Sequence, residues 1–230
     1  MRNLWLAILA GALLSAAVPS RAPVLVELFT SEGCSSCPPA DKLLESLDSS
    51  AIVLSEHVDY WDSLGWRDPF SSHANTLRQE AYARHLGTQG PYTPQMVVDG
   101  AVEFNGSDGR RAADEIARSA KRERTEVRLT WTGNELKIET GAVAHASDVM
   151  LAVAEDSGTS QVAAGENKGK RLHHIAILRS LRKAGTLKRG ASFSKSMELP
   201  GDAAGKRVIV FVQDADLGRV SGAAVADPQR

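Results

Sequence analysis

The chain has 230 residues, of which 43% are hydrophobic and 24% are charged, and its formal net charge at pH 7 is −1. This composition is typical of a globular protein with one large core or two modest ones. Because the charge is balanced, the chain has no general attraction to nucleic acid or to anionic membranes.

The N-terminal residues resemble a secretory signal peptide. Arg2 supplies a positive charge, residues 4–14 are apolar, and Ser15-Ala16-Ala17 provides the small side chains that a signal peptidase requires. The apolar run is shorter than the roughly 20 residues of a membrane span. We therefore expect residues 1–17 to be removed, leaving a mature chain without a membrane span that is periplasmic or secreted. An uncleaved anchor is the alternative.

Strand and helix signals alternate through the first half of the chain. The sequence predicts strands at 24–29, 52–58, 95–98 and 101–104, and helices at 40–47, 73–86 and from about 107 to 122. The third and fourth strands are joined by Asp99-Gly100, a strong hairpin signal.

The two cysteines of the chain, Cys34 and Cys37, follow the first strand and are separated by two serines. A Cys-x-x-Cys pair near a β-α-β pattern is typical of a thioredoxin-like redox dithiol. The N-terminus of the following helix favours a thiolate at the first cysteine. Two alternatives remain: a purely structural disulfide, and half of a zinc site, although zinc requires about four ligands.

The second half of the chain is predicted to be mainly antiparallel β structure. Alternating apolar and polar residues, or apolar runs, indicate strands at 126–131, 135–140, 149–155, 192–199 and 207–213. The boundary lies near residue 123 and lacks a linker rich in Pro, Gly or Ser. The sequence thus predicts a first domain over 23–122 and a β-sandwich-like domain over 124–230, packed together. The second predicted domain contains a basic stretch, residues 168–195, which could be a docking face or a solvated edge.

The order of elements and several motifs resemble thioredoxin-like proteins, and more closely a family of exported bacterial thioredoxin-like proteins of unknown function. The motifs that carry this resemblance are residues 26–41, 57–62, 65–70, 92–100 and 165–171. The resemblance implies an α/β thioredoxin-like fold followed by the β domain. It also implies that Pro94, with Thr93 before it, is the cis-proline that faces the dithiol. Gly33 and the two serines between the cysteines depart from ordinary thioredoxins.

An aromatic segment follows the second strand, at the sheet edge where we expect the dithiol. Asp59, Tyr60 and Trp61 could form a rim that binds substrate, since Tyr and Trp combine large faces with polar groups. They could equally form a structured loop that covers the core. Asp59 or Asp62 could accept a proton from Cys37, which must be deprotonated for exchange.

Two functions fit these residues. The first is an exported thiol-disulfide oxidoreductase in which Cys34 attacks, Cys37 resolves and Pro94 shapes the groove for protein thiols or disulfides. The second is a non-catalytic module that binds a partner, or copper or zinc, on the same scaffold. A disulfide that closes so short a loop stabilises little, which favours the first. We find no phosphate-binding Gly-rich loop, so no organic cofactor is expected.

Overall fold

The computed structural model describes residues 24–133, 135–199, 203 and 205–226. The predicted signal peptide, residues 1–17, lies outside this range. Within the described residues the helices are α1 (Pro38–Leu47), α2 (His73–Leu86) and α3 (Gly109–Ala120), with a short 3-10 helix at Asp62–Leu64. The strands are β1 (Leu25–Thr30), β2 (Ile52–His57), β3 (Gln95–Val98), β4 (Val102–Asn105), β5 (Val127–Thr132), β6 (Glu135–Thr140), β7 (Ser147–Gln161), β8 (Arg171–Leu187), β9 (Phe193–Glu198), β10 (Arg207–Asp214) and β11 (Val220–Ala226). None of these helices is long and apolar enough to cross a membrane.

Each helix begins at a residue suited to that position. Helix α1 starts with Pro38 and Pro39, which lack backbone N–H groups that the first helical turn could not pair in any case. Ser72 caps α2 by accepting the N–H of Ala74, and Asp108 caps α3 by accepting the N–H of Arg111.

Eight strands form one mixed sheet in the order β11-β10-β7-β8-β2-β1-β3-β4. β1 and β2 are parallel, whereas β3 and β4 complete that end of the sheet as antiparallel strands. The second half of the chain joins through β8, which runs parallel to β2 where Ile177 pairs with Ser55. The expected mixed α/β class is confirmed. The strands of the second half, which we expected to form their own layers, mostly extend the first sheet.

The remaining strands form a small antiparallel sheet, β5-β6-β9, which lies over one end of the large sheet. Leu136 and Ile138 of β6 are fully buried against apolar side chains of β7 and β10. The small sheet therefore forms a second layer over this end of the large sheet.

Helices cover both faces of the other end of the sheet. Leu44 of α1 and Ile116 of α3 pack in one apolar cluster with residues of β1 and β3, such as Leu28 and Met96. Tyr82 of α2 packs on the opposite face against Phe29. The end of β1, where the cysteines follow, is thus held between two helical layers.

A charged cluster is buried beneath α2. The Nη2 atom of Arg78 lies 2.5 Å from Oε1 of Glu27, and the hydroxyl of Tyr82 donates to Oε2 of the same glutamate at 2.7 Å. Burial, followed by the negative charge of Glu27, raises the pKa of neighbouring Glu56 well above its usual value. Glu27 thus compensates the positive charge of Arg78 inside the protein, whereas burial favours the neutral form of Glu56.

Candidate functional site

The disulfide between Cys34 and Cys37 lies in the turn from β1 to α1. The two Cα atoms are 5.4 Å apart, and Cys37 is the N-cap residue of α1. Pro38 and Pro39 therefore both lie in the first turn of the helix. Neither cysteine has exposed surface, whereas Ser35 and Ser36 between them are exposed. The hydroxyl oxygen of Ser36 lies 3.4 Å from Sγ of Cys34.

One predicted site residue, Trp61, contacts this turn and is hydrogen-bonded to a second, Thr93, which precedes Pro94. The Thr93–Pro94 peptide bond is cis. The indole N–H of Trp61 donates to Oγ1 of Thr93 at 2.8 Å. Trp61 also packs on the turn itself, since a Cβ atom added at Gly33 would lie only 2.9 Å from Cβ of Trp61. A larger residue before Cys34 would collide with this tryptophan, which explains the glycine.

The other two residues of the predicted rim make contacts with α2. Oδ1 of Asp59 accepts the hydroxyl of Thr76 at 2.6 Å, and its Oδ2 lies 3.1 Å from Nδ1 of His73. The hydroxyl of Tyr60 donates to Oε1 of Gln79 at 3.2 Å, and burial raises the pKa of that hydroxyl. These contacts fix the connection between β2 and α2.

Asp62, the other proton acceptor considered for Cys37, has its own partners. Its Oδ2 accepts the hydroxyl of Ser71 at 2.7 Å, and its Oδ1 accepts the backbone N–H of Asp68 at 3.1 Å. Both carboxylates considered for the proton transfer, Asp59 and Asp62, are therefore engaged in folding the segment after β2.

Sequence reasoning missed a buried cluster of histidines and carboxylates next to the cysteine turn. The ring of His174 on β8 lies between Glu32 and Asp41, with Nε2 at 3.3 Å from Oε1 of Glu32 and Nδ1 at 3.6 Å from Oδ2 of Asp41. The ring of His57 contacts that of His174, with centroids 4.5 Å apart, and its Nδ1 lies 2.7 Å from Oδ2 of Asp68. All five side chains are buried.

This cluster is connected to the cysteine turn through Glu32, which precedes Cys34 by two residues. The side chain of Glu32 accepts the indole N–H of Trp66 at 2.8 Å and the hydroxyl of Ser160. Its backbone N–H donates to Oδ2 of Asp68 at 2.8 Å. Asp41 is one turn along α1 from Cys37, and its Oδ1 accepts the hydroxyl of Thr30 at 2.9 Å.

The electrostatics of the cluster favour a protonated His174. Burial lowers the pKa of this imidazole, but the carboxylates of Asp41 and Glu32 outweigh that effect and raise it to about 9. Burial likewise acts to raise the pKa of Asp68, yet the charge of His57 and hydrogen bonds from Glu32 and Phe70 bring it below its usual value. The interior beside the disulfide therefore holds a positive imidazolium between negative carboxylates.

The sequence contained few signals for this cluster. Glu32 belongs to the cysteine motif and His174 to the basic stretch 168–195, and 142 positions separate them in the chain. They meet because β8 pairs with β2, a contact that local periodicity cannot reveal.

These features define a mixed α/β protein with a disulfide in the turn from β1 to α1 and a cis-proline just before β3. The family model for proteins of unknown function, DUF1223, matches residues 25–213, and the chain belongs to this family. No curated protein matches significantly.

The solved structures that are similar to the chain include two proteins from different bacteria. An X-ray crystal structure of a protein from Agrobacterium tumefaciens has a TM-score of 0.78 and 29% sequence identity, covering 93% of this chain and 97% of that one. HBP35 of Porphyromonas gingivalis has a TM-score of 0.61 and 14% identity, covering 90% of this chain and 76% of that one. At this low identity the second similarity concerns the fold alone.

Proposed function

We propose that this protein is an exported thiol-disulfide oxidoreductase with a thioredoxin-like fold. The observation that carries the proposal is the Cys34–Cys37 disulfide at the N-terminus of α1, with Trp61 packed on the turn and hydrogen-bonded to Thr93, the residue before cis-Pro94. An oxidising compartment outside the cytoplasm is where such a disulfide persists. The cleavable signal peptide predicted for residues 1–17 agrees with that location.

The chemistry follows from the reactivity of the two sulfurs. In the reduced protein the N-terminus of α1 favours a thiolate at Cys34, and the Ser36 hydroxyl is close enough to donate to it. That thiolate attacks a substrate disulfide, forms a mixed disulfide and releases one substrate thiolate. The Cys37 thiolate then attacks Sγ of Cys34, which re-forms the intramolecular bond and releases the second substrate thiolate.

Two electrons pass to the substrate in this cycle, and its two released thiolates take protons from water. Because each step is reversible, the same pair can oxidise a dithiol substrate. Trp61, Thr93 and Pro94 are candidates to contact the substrate backbone, and protein thiols or disulfides are the proposed substrates.

A second function is favoured by one observation, the complete burial of both cysteines. A buried pair suits a structural disulfide in a module that binds a partner, copper or zinc. The reduction potential separates the two functions, since exchange proteins have potentials of about −120 to −270 mV and structural disulfides lie below about −300 mV.

The test is to equilibrate the protein in glutathione buffers, label free thiols and determine the potential of the pair. We expect a value in the exchange range, and we expect Cys34→Ser to abolish turnover in a disulfide reductase assay. Cys37→Ser should instead accumulate a mixed disulfide with the substrate, because nothing resolves it. A potential below about −300 mV, or turnover that survives Cys34→Ser, would contradict the proposal.

A further inference from the structure

The connection between β7 and β8, residues 162–170, contacts the backbone of the cysteine turn directly. The side-chain amide of Asn167 donates one hydrogen bond to the carbonyl of Glu32 at 2.8 Å and another to the carbonyl of Cys34 at 2.9 Å. The carboxylate of Glu166 accepts the backbone N–H of Ser35 at 3.0 Å. We call these two side chains the clamp. They engage three backbone groups on both sides of Cys34.

Asn167 is held firmly in this position. Its side chain has no exposed surface, and its Oδ1 accepts the ammonium of Lys170 at 2.8 Å. The loop closes on itself through the N–H of Gly169, which donates to the carbonyl of Val162 at 2.8 Å. Gly165, at a φ of +73°, allows the loop to pack on Trp66. The Lys170 contact and the packing of the loop therefore direct both amide hydrogens of Asn167 at the turn.

The clamp has a direct consequence for exchange. An attacking thiolate must reach a sulfur atom, and neither Cys34 nor Cys37 has any exposed surface. The exposed residues of the turn, Ser35 and Ser36, show that this segment itself faces solvent. One way to expose the Cys34 sulfur is a movement of the Cys34 end of the turn. That movement must break the bonds from Asn167 and Glu166.

We propose that Asn167, assisted by Glu166, is a positioning residue that keeps the Cys34 end of the disulfide turn closed, and that its release exposes Cys34 to thiols. This role deepens the proposed exchange function and rests on it. The groups that release uncovers are the N–H of Ser35 and the carbonyls of Glu32 and Cys34, the latter also accepting the N–H of Cys37. They match the donors and acceptors of a polypeptide backbone, so the clamp favours protein substrates over small thiols.

The experiment measures how fast dithiothreitol reduces the disulfide in the native mature protein. Rapid labelling of free thiols at successive times gives the rate. In this reaction the Cys34–Cys37 bond breaks, both sulfurs become thiols, and dithiothreitol is oxidised to its cyclic disulfide. Asn167→Asp keeps the shape of the side chain but removes both donors and sets a carboxylate against two carbonyls. Loss of two hydrogen bonds predicts a rate roughly tenfold to hundredfold higher.

Two controls separate the clamp from general effects. Lys168→Ala changes the neighbouring exposed residue of the same loop, and its rate should stay within about twofold of the wild type. Ile138→Ala removes a buried side chain from the distant small sheet and lowers the stability of the whole protein. The proposal requires that Asn167→Asp is reduced faster than Ile138→Ala at equal or higher stability.

If Asn167→Asp is reduced no faster than the wild type or Ile138→Ala, the proposed role of the clamp is wrong. Should that variant not fold, Glu166→Ala replaces it, since Glu166 is fully exposed and its loss should still raise the rate about threefold. An unchanged rate in Glu166→Ala would then overturn the proposal. The rate of reduction by excess dithiothreitol is measured without any substrate protein. A failure of the clamp is therefore distinguishable from a failure of the proposed exchange function, which the reduction potential and the turnover assay test.

Discussion

His174 is the residue whose charge depends most directly on the fold of this protein. It lies on β8, yet its partners Glu32 and Asp41 belong to the cysteine turn and to α1. A buried imidazolium is stable only with such partners, because burial alone favours the neutral ring. The cluster therefore couples the protonation of one side chain to the pairing of β8 with β2.

The raised pKa of His174 predicts how stability depends on pH. An unfolded histidine has a pKa of about 6.5, whereas that of His174 in the folded protein is raised to about 9. Because the folded state holds the proton more tightly, this stabilisation is complete below about pH 6.5 and is lost as the pH rises through 9. The shift corresponds to at most about 3 kcal/mol.

Urea unfolding of the wild type and His174→Gln between pH 6 and 10 measures this contribution. The wild type should lose stability over that range more steeply than the variant. His73→Gln is the matched control, since its ring is exposed and its contact with Asp59 lies at the surface of α2. Parallel pH profiles for the wild type and His174→Gln would show that the buried ion pairs contribute nothing.

At the scale of elements, the sequence predicts the bounds of a strand or helix correctly where local residues define that element. Helix α2, with its Ser72 cap and the glycine after its end, has the predicted bounds, and so does β6. β8 was missed because its many Lys and Arg residues hide the alternation of buried side chains. It is a strand because it pairs with β7 over its whole length and with β2, and both contacts are long-range.

The residues of the candidate site fall into the same two groups, those that local motifs mark and those that long-range contacts bring in. A short motif marks Cys34 and Cys37, whereas the resemblance to thioredoxin-like proteins implies the cis bond at Pro94. The clamp and the histidine cluster depend on residues from β8 and the loop before it. No local pattern relates Asn167 to Cys34, so only the folded chain reveals that the second half covers the disulfide.

A glycine in β11, Gly222, lies very close to the segment that connects α3 to β5. A Cβ atom added at this glycine would collide with the carbonyl oxygen of Thr125, a backbone atom in that segment. The N–H of Thr125 donates to the carbonyl of Ser221 at 2.9 Å, so this segment cannot move away freely.

Gly222→Ala should therefore lower the free energy of unfolding by about 3 kcal/mol, the upper end of the usual cost of overpacking. Gly141→Ala provides the matched control, because its added Cβ would make only an ordinary contact at 3.6 Å, and we expect a change below about 1 kcal/mol. Chemical denaturation measures both. Equal stabilities for the two variants would mean that the Thr125 segment yields without cost.

At the scale of the whole molecule, the two halves of the chain share one sheet and one set of buried charges. β8 continues the sheet next to β2, and Ala176 of β8 belongs to the same apolar cluster as α1. Arg207 of β10 forms a two-pronged ion pair with Asp48 after α1, at 2.7 and 3.1 Å. The first half alone would expose the edge of β2 and leave Glu32 and Asp41 without His174.

These shared contacts predict that residues 23–122, although they have the order of elements of a complete domain, do not fold cooperatively by themselves. We expect the fragment to lack near-ultraviolet circular dichroism and a sharp urea transition, and its Cys34–Cys37 disulfide to be reduced by dithiothreitol as fast as in an unfolded chain. The mature full-length protein, studied in parallel, should show a single transition because both halves unfold together. A fragment with a sharp transition and a slowly reduced disulfide would show instead that β8 and the clamp are additions to an independent unit, and that the cysteine turn is protected without them.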